Sequence, residues 1–412
     1  MNGQLRKNLI FNTAGSLLFY ICQASMNLLV TALSGAAANG LLATAMTIAN
    51  VGLSFASYGM RTFQVSDLRG KYADRTYLAS RFVTVAIAWL ACMAFAFFNA
   101  YSAQQRWVIF FYTGYRLVES ISDVWHGFLQ KAERMDIVGI SFGIRGLVTA
   151  LSVSGGLWLT HNLVFTLGLL FLLNLGYVLA VDLPLALRRA DLGRRGGAGL
   201  FSLLWECSPL AVYASLNTSI SSVPRYFCER ILGEVQLNYF ANVFLPVMLL
   251  QVAAVYLFVP FITLFARLWD DRDKKGYFRG LRALALCLLA LWAAGAAGVA
   301  LLGRWGLGLL YPTTPEILEW TGLLQPLVVC TVLTVLVTVL CNLLTIAREM
   351  KGLILGNLAG LAAALVLSSP LIRAFGLWGT AFATLAGLAV QALSLLAFLL
   401  ARARGQFAMA DI

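Results

Sequence analysis

The feature that most constrains this chain is a succession of long apolar segments separated by short charged or Gly/Pro-rich breaks. Several segments exceed 20 residues without alternation of apolar and polar residues, which excludes the ~10-residue alternating strands of a membrane β-barrel. A helix of about 20 apolar residues spans the hydrocarbon core of a bilayer. Since only 12% of the 412 residues are charged, against ~25% in soluble domains, the sequence predicts an all-α polytopic membrane protein.

The breaks divide the sequence into twelve predicted transmembrane helices. They cover residues 8–33, 37–59, 82–100, 107–129, 137–159, 163–186, 200–222, 237–265, 283–302, 320–346, 352–372 and 376–401. Arg6 and Lys7 precede the first apolar run, but no small-residue cleavage pattern follows it. We therefore expect a retained first span rather than a signal peptide.

Basic residues are unequally distributed between the two sets of alternating loops. The set that includes both chain ends holds 23 of the 30 lysines and arginines, and the other set holds five. Cytoplasmic loops carry the excess of Lys and Arg in membrane proteins, so both termini are predicted to be cytoplasmic. The net charge of +12 then reflects orientation in the membrane, and we expect no nucleic-acid partner.

Two observations predict a repeat of six helices. The longest basic loops, 61–81 and 266–282, follow spans two and eight, and segment 129–135 aligns with 344–350 at an offset of 215. An even number of spans per half makes the repeat parallel, with the substrate path between the halves. The predicted organisation is an N-terminal lobe at 1–190, a cytoplasmic linker at 191–199 and a C-terminal lobe at 200–412.

Polar residues form a stripe on one face of each of the first two spans. At 100° per residue, the stripes contain Asn12, Ser16, Tyr20, Gln23 and Asn27 in span one, and Asn39, Thr47, Asn50, Ser54 and Ser57 in span two. Interhelical hydrogen bonds explain single Ser or Thr residues, whereas stripes that include amides favour a water-filled cavity. Asn27 and Asn50 are therefore candidate substrate-binding residues.

Span four carries the most charged stripe, which comprises Tyr112, Arg116, Glu119, Asp123, His126 and Gln130. Charges there cost ~2.5–3.5 kcal/mol each on the insertion scale, so they must face an interior and have a partner or a function. Arg116 and Glu119 at i,i+3 could neutralise each other, which would leave Asp123 uncompensated. Arg145, near the middle of span five, is then the expected partner for Asp123 or for an anionic substrate.

Glu119, Asp123 and His126 are candidate ion-coupling residues. A carboxylate in a dehydrated cavity has its charged form disfavoured, and a nearby arginine or bound cation restores that form. Glu119 and Asp123 could thus alternate between pairing with an arginine and binding H⁺ or Na⁺, and His126 could relay protons. The alternatives are a hydrogen-bonded packing role for His126 and a static charge network that only orients the helices.

Signatures of enzymes are absent from the sequence. It contains no Gly-rich phosphate loop, HExxH or GxSxG motif, and its seven cysteines form no CxxC. We therefore predict no catalytic residues, no metal site and no cofactor other than a coupling ion. A membrane glycosyltransferase or polymerase would carry a large loop outside the membrane, but the longest loop here has about 21 residues.

Three stretches resemble Wzx-type lipid-linked oligosaccharide flippases, which belong to the superfamily shared with the MATE exporters and the lipid II flippase. They are the loop at 59–72 with Tyr77 and Arg81 beyond it, the connection at 223–239 and the segment 375–382 before the last span. Asn238 stands where this family more often has Gly. Together with the twelve-helix plan, the resemblance covers nearly the whole chain.

The resemblance implies two six-helix lobes around a central cavity, in a monomer of the bacterial cytoplasmic membrane. The implied substrate is a polyprenyl pyrophosphate-linked saccharide, moved from the cytoplasmic to the outer leaflet, with polysaccharide polymerase or glycosyltransferases as partners. Cavity arginines commonly serve the pyrophosphate in this family. By position these are Arg116, Arg145 and, at the outer mouth, Arg225.

A departure from the family leaves a second function open. Glu119 and Asp123 make the stripe of span four net acidic, unlike a simply cationic cavity. A MATE-like exporter of cationic drugs, driven by H⁺ or Na⁺, would bind its substrate or coupling ion at such carboxylates. Arg116 and Arg145 would repel a cationic drug, so the flippase is the favoured hypothesis.

Overall fold

The computed structural model describes residues 3–67, 71–191, 199–312 and 314–408. Within these residues the helices are α1 (Gly3–Ser57), α2 (Met60–Ser66), α3 (Asp74–Phe98), α4 (Ala103–Lys131), α5 (Met135–Thr160), α6 (Leu163–Tyr177), α7 (Leu183–Leu187), α8 (Leu200–Leu232), α9 (Glu234–Asp270), α10 (Lys274–Leu310), α11 (Leu324–Ile346), α12 (Met350–Phe375) and α13 (Leu377–Ala408). A π-helical turn, Val178–Asp182, joins α6 to α7, and a 3-10 segment, Pro315–Leu323, precedes α11. The described residues contain no β-strand, so the all-α prediction is confirmed.

Helical segments are present at each of the twelve predicted spans. Gly35, at φ 85°, breaks the helical geometry of α1 and separates the first two. Among the described residues, eight stretches are long and apolar enough to cross a membrane: Arg6–Ser57, Asp74–Phe98, Met135–Thr160, Leu163–Leu187, Lys274–Leu310, Pro315–Ile346, Met350–Phe375 and Leu377–Ala403. The chain is a multi-pass membrane protein, and the orientation of its termini stays a prediction.

Large apolar side chains point outward along these helices. Examples are Leu90 on α3, Leu151 on α5 and Leu301 on α10, which are 60%, 69% and 81% exposed. A soluble monomer rarely exposes apolar side chains so extensively. These surfaces are the ones that the acyl chains of a bilayer would cover.

The chain divides into two compact units, Met1–Thr218 and Ser219–Ile412, with the division inside α8. The beginning of α8 belongs to the first unit, where Leu203 and Cys207 are buried in one cluster with Trp125 of α4. Residues 192–198 of the predicted linker, which include Arg194 and Arg195, lie outside the described residues, as does Arg69 of the first long basic loop. The linker itself stays a prediction.

In the first unit, α1 and α5 approach each other through glycines. A Cβ atom on Gly139 would lie 2.1 Å from the backbone oxygen of Phe11, and one on Gly15 would overlap the backbone of Gly139. Small residues permit this backbone contact between membrane helices. The contact fixes α5, and with it Ser141 and Arg145, against α1.

Replacing Gly139 with alanine is expected to destabilise the protein by ~1–3 kcal/mol, because the added methyl group cannot be accommodated without moving α1 or α5. Gly155→Ala is the matched control, since a Cβ atom at this position of the same helix has no neighbour within 4 Å. The unfolding temperature in detergent should fall for Gly139→Ala and stay unchanged for Gly155→Ala. Equal unfolding temperatures for the two variants would contradict the close approach of α1 and α5.

In the second unit, α12 and α13 pack in the same manner. A Cβ atom on Gly360 would lie 2.6 Å from the Cβ atom of Gln391. Gln391 Nε2 donates a 2.7 Å hydrogen bond to Asn357 Oδ1, and both side chains are fully buried. Buried amides that bond across helices satisfy polar groups that lipid could not solvate.

Candidate functional site

A cavity of about 330 Å³ lies inside the first unit. Its lining residues are Tyr20, Leu53 and Ser57 of α1, Gly59, Met60 and Arg61 at the start of α2, Glu119, Ser120, Asp123 and His126 of α4, and Phe142 of α5. Positions 119, 123 and 126 fall on one face of a helix because side chains three or four residues apart are neighbours. Three residues of the predicted stripe of span four, Glu119, Asp123 and His126, therefore form a polar wall of this cavity.

The short helix α2 closes one side of this cavity. Tyr58 and Gly59 adopt left-handed backbone angles, with φ of 54° and 61°, and redirect the chain after α1. Gln64 Nε2 then donates to the backbone oxygen of Val124 at 3.2 Å, and Arg61 Nε donates to Gln130 Oε1 at 3.1 Å. The reversal thus brings a cation from a predicted loop back to the charged face of α4.

Asp123 pairs with two arginines. Arg61 Nη1 lies 3.0 Å from Asp123 Oδ1, and Arg81 Nη2 lies 3.2 Å from Oδ2. Arg81 is fully buried on α3, where Nη1 also donates to the backbone oxygen of Ala56 at 2.6 Å and to Ser120 Oγ at 3.0 Å. The expectation that Arg145 neutralises Asp123 is therefore wrong, because α3 begins at Asp74 and carries Arg81 into the protein.

The ion pair within α4 is confirmed. Arg116 Nη1 donates to Glu119 Oε2 at 2.6 Å, and the two side chains are 11% and 19% exposed. Arg116 Nη2 also lies 3.4 Å from Asn50 Oδ1. Two predicted site residues, Arg116 and Asn50, therefore lie together beside the cavity.

The guanidinium of Arg145 is fully buried and has no acidic partner among the described residues. Its Nε, Nη1 and Nη2 atoms have no hydrogen-bond partner among the described residues. The guanidinium lies over the ring of Phe19, 5.8 Å from the centroid, and such a contact is worth ~2 kcal/mol when desolvated. None of these three nitrogens is satisfied by an acceptor among the described residues, so a buried charge that is costly to leave unpaired is not fully compensated there.

His126 pairs with Asp182, a residue that the sequence analysis missed. His126 Nε2 lies 3.6 Å from Asp182 Oδ2 and 3.3 Å from the hydroxyls of Ser122 and Ser141. Asp182 ends the π-helical turn Val178–Asp182, and such turns are frequent at functional sites. The intramembrane-charge argument that identified Asp123 applies equally to Asp182, so the sequence did contain the signal.

Arg116, Asn50 and Arg145 are not among the residues that line this cavity, and neither are the two remaining predicted site residues, Asn27 and Arg225. Asn27 on α1 is half-buried, and its Oδ1 atom has no hydrogen-bond partner among the described residues. Arg225 belongs to the second unit, where its guanidinium lies 4.7 Å from the ring centroid of Phe244 and 5.9 Å from that of Phe240. Neither residue lines the 330 Å³ cavity.

A loop next to α2 is organised by Asp67. Its carboxylate accepts hydrogen bonds from the backbone N–H groups of Lys71 at 2.8 Å and Tyr72 at 3.1 Å, and from the Tyr77 hydroxyl at 3.1 Å. Burial by itself raises the pKa of Asp67, but these hydrogen bonds outweigh burial and hold the pKa below its usual value. The charged carboxylate therefore fixes the end of α2 against the start of α3.

Comparison with known proteins identifies the fold. No family model matches the sequence, and no curated protein matches it. Among solved structures, an inward-facing multidrug resistance MATE family transporter of the MOP superfamily has a TM-score of 0.69 at 13% identity over 97% of this chain and 98% of that chain. The outward-facing form of a multidrug resistance MATE family transporter has a TM-score of 0.64 at 14% identity, over 98% and 96%.

A third solved structure concerns binding-pocket charge. It is a MOP superfamily transporter from Pyrococcus furiosus, described as having a binding pocket of reverse polarity that suggests a different function. Its TM-score is 0.65 at 14% identity, over 99% of this chain and 96% of that chain. At such identities the likeness establishes the fold alone, and the substrate must be argued from the residues of this chain.

Proposed function

We propose that this protein is a transporter that moves a polyprenyl pyrophosphate-linked saccharide from the cytoplasmic to the outer leaflet of a bacterial cytoplasmic membrane. It works by alternating access, as a monomer, and the translocated saccharide is then used by polysaccharide polymerase or glycosyltransferases. It performs no chemical reaction on the substrate. The transporter fold supports the alternating-access part, since the similar structures include inward-facing and outward-facing forms.

The unpartnered guanidinium of Arg145 carries the substrate assignment. A buried charge without an anionic partner is costly, and arginine recognises phosphate through two parallel hydrogen bonds. A pyrophosphate would supply both the charge and the acceptors that Arg145 lacks within the described residues. A lipophilic cation would supply neither.

The net charge of the ion-paired cluster beside the cavity also favours an anionic substrate. The sequence made the stripe of span four net acidic, but the structure adds Arg61 and Arg81 to it. Together with Arg116, these three arginines outnumber the two carboxylates Glu119 and Asp123, so the cluster has a net charge of +1. Asn27 and Asn50 offer amide groups for saccharide hydroxyls, and Arg225 offers a second cation in the other unit.

Glu119 and Asp123 couple an ion to transport in this proposal. When the pyrophosphate binds the arginines, the carboxylates lose their partners and take up H⁺ or Na⁺ instead. Substrate and ion then favour the same state of the protein, which links their binding without direct contact. The ion pairs of Asp123 with Arg61 and of Glu119 with Arg116 are the contacts that this exchange would break.

A MATE-like exporter of cationic drugs is the second candidate function. The observation in its favour is that Glu119 and Asp123 line the cavity. Binding a cationic drug there would require the release of Arg61 and Arg116 from these carboxylates. This exchange costs two ion pairs and leaves two arginines next to a cationic ligand.

A thermal-shift experiment on the purified protein tests the substrate class. Undecaprenyl pyrophosphate at about 100 times its Kd should stabilise the protein by ~2.7 kcal/mol, and undecaprenol, which lacks the phosphates, should not. Tetraphenylphosphonium serves as the cationic probe. Stabilisation by tetraphenylphosphonium with none by the pyrophosphate would support the exporter and exclude the flippase.

A further inference from the structure

The buried pair His126 and Asp182 is separate from the cluster of arginines and carboxylates. Both side chains are 1% exposed. The two carboxylate oxygens of Asp182 each accept a 2.7 Å hydrogen bond, from the hydroxyls of Ser122 and Ser141. Within the described residues, His126 is the only ion-pair partner of Asp182, so a neutral imidazole leaves the pair with a net charge of −1.

The serine hydroxyls determine which nitrogen of His126 carries a hydrogen. Ser122 and Ser141 each have one O–H group, and both groups donate to Asp182. Their oxygens can therefore only accept from His126 Nε2, which lies 3.3 Å from each. A neutral imidazole has one N–H group, so the hydrogen is on Nε2 and Nδ1 carries a lone pair.

The Nδ1 atom of His126 is the open position of this network. It has no hydrogen-bond partner among the described residues. His126 lines the cavity together with Phe142, whose ring centroid lies 4.9 Å from that of the imidazole. His126 therefore borders the space through which a proton could arrive, whereas Asp182 is not among the lining residues and is bonded to the two serines.

Other titratable groups near the pair come from five elements. They are Tyr20 of α1, Arg61 of α2, Glu119 and Asp123 of α4, Arg145 of α5 and Tyr177 of α6. Arg61 is bonded to Asp123, and Glu119 is bonded to Arg116. The two acidic groups that line the cavity are thus already paired with arginines, whereas Asp182, within the described residues, has no ion-pair partner other than His126.

We propose that His126 Nδ1 takes up a proton from the cavity and that Asp182 is the counter-ion of the resulting imidazolium. The proton adds to the Nδ1 lone pair, no other bond is broken, and the net charge of the buried pair changes from −1 to 0. Burial favours a His126–Asp182 pair with no net charge over a pair in which the carboxylate is uncompensated. The pair is therefore a proton-binding site of the first unit. Protonation of this site does not depend on the proposed function. Only the use of the proton in ion-coupled transport rests on it.

Nitrogen NMR on the purified protein tests this site without any substrate. The sequence contains two histidines, and His161 is exposed at the end of α5, so ¹⁵N-histidine labelling gives one signal set for the site and one reference set. At alkaline pH, His126 should show a protonated Nε2 and a bare Nδ1. Acidification should add a hydrogen to Nδ1 and leave Nε2 protonated. A hydrogen on Nδ1 in the alkaline sample, or an Nδ1 that stays bare in the acidified one, would overturn the proposal.

The variant Asp182→Asn identifies the counter-ion. Loss of the carboxylate should reduce the share of His126 that carries a hydrogen on both ring nitrogens in an acidified sample, while Asp123→Asn, whose residue is engaged with two arginines, should change that share less. An unchanged share in Asp182→Asn would exclude Asp182 as the counter-ion. Since the readout needs no transport, wild-type protein that titrates as expected but flips no saccharide would refute the proposed function and leave the proton site intact.

Discussion

Replacing Arg145 with methionine is expected to reduce flipping of a polyprenyl pyrophosphate-linked saccharide at least about tenfold and to raise the stability of the protein. The two effects have one cause, since Arg145 is fully buried without a hydrogen-bond partner among the described residues. A buried charge without a partner carries an uncompensated desolvation cost, so an apolar side chain of similar volume should raise the free energy of unfolding by ~1–4 kcal/mol, the range known for replacing buried ion pairs by apolar side chains. Loss of the guanidinium removes the bidentate contact to phosphate.

Arg81→Met is the matched control for Arg145→Met. Arg81 is equally buried but is bonded to Asp123, Ala56 and Ser120, so its replacement should destabilise the protein by ~3–5 kcal/mol. Arg145→Lys, which keeps the charge but loses the planar fork, should recover only part of the activity. A folded Arg145→Met protein with normal flipping would refute the role in binding, and a strongly destabilised one would show that Arg145 has a structural partner.

Replacing Asp123 with asparagine is expected to cause the largest loss of stability among the cavity carboxylates. Asp123 neutralises both Arg61 and the fully buried Arg81, and the variant leaves both cations uncompensated. The expected loss is ~3 kcal/mol, the lower end of the range for a broken buried pair, because Asp123 is 26% exposed. Chemical unfolding in detergent measures this loss.

Two further variants control the Asp123 result. Glu119→Gln should lower the free energy of unfolding by less than Asp123→Asn does, because Arg116, the partner of Glu119, also lies beside Asn50 Oδ1. The double variant Asp123→Asn, Arg81→Met should recover part of the stability, since it no longer leaves a buried cation without its anion. Additive effects of the two substitutions would contradict the direct pairing of Asp123 with Arg81.

The same carboxylates are expected to determine the response of transport to an ion gradient. Flipping by the wild-type protein should accelerate when a pH or Na⁺ gradient is imposed on proteoliposomes. The acceleration should be lost in Glu119→Gln or in Asp123→Asn, because an amide cannot exchange an arginine for a cation. If neither gradient changed the rate of wild-type flipping, or if both variants responded as the wild type does, Glu119 and Asp123 would have only a static structural role.

Local patterns in the sequence predicted the features that depend on neighbours along the chain. Long apolar runs predicted the helices, and the spacing of residues 116, 119, 123 and 126 predicted one polar face on α4. The Arg116–Glu119 pair followed from i,i+3 spacing alone. These features need no knowledge of how helices pack against each other.

The incorrect prediction concerns the partners of Asp123, which depend on where the helices begin and how they pack against each other. Delimiting the spans at charged residues places Arg81 in a loop, although α3 begins seven residues earlier, at Asp74. Arg61 returns to α4 through the left-handed backbone of Tyr58 and Gly59, which no hydropathy pattern encodes. Depth in the membrane alone pairs Asp123 with Arg145, whereas the packing of the helices pairs it with Arg61 and Arg81.

Reconstituted flipping with chemically distinct lipids tests the central claim most directly. Proteoliposomes would contain a fluorescent saccharide on a polyprenyl pyrophosphate, and parallel vesicles would contain the same saccharide on uncharged polyprenol. The proposal predicts protein-dependent translocation of the pyrophosphate-linked form at a rate at least tenfold above that of the uncharged form. Equal rates for the two lipids, or no translocation of either while a lipophilic cation is exported, would contradict it.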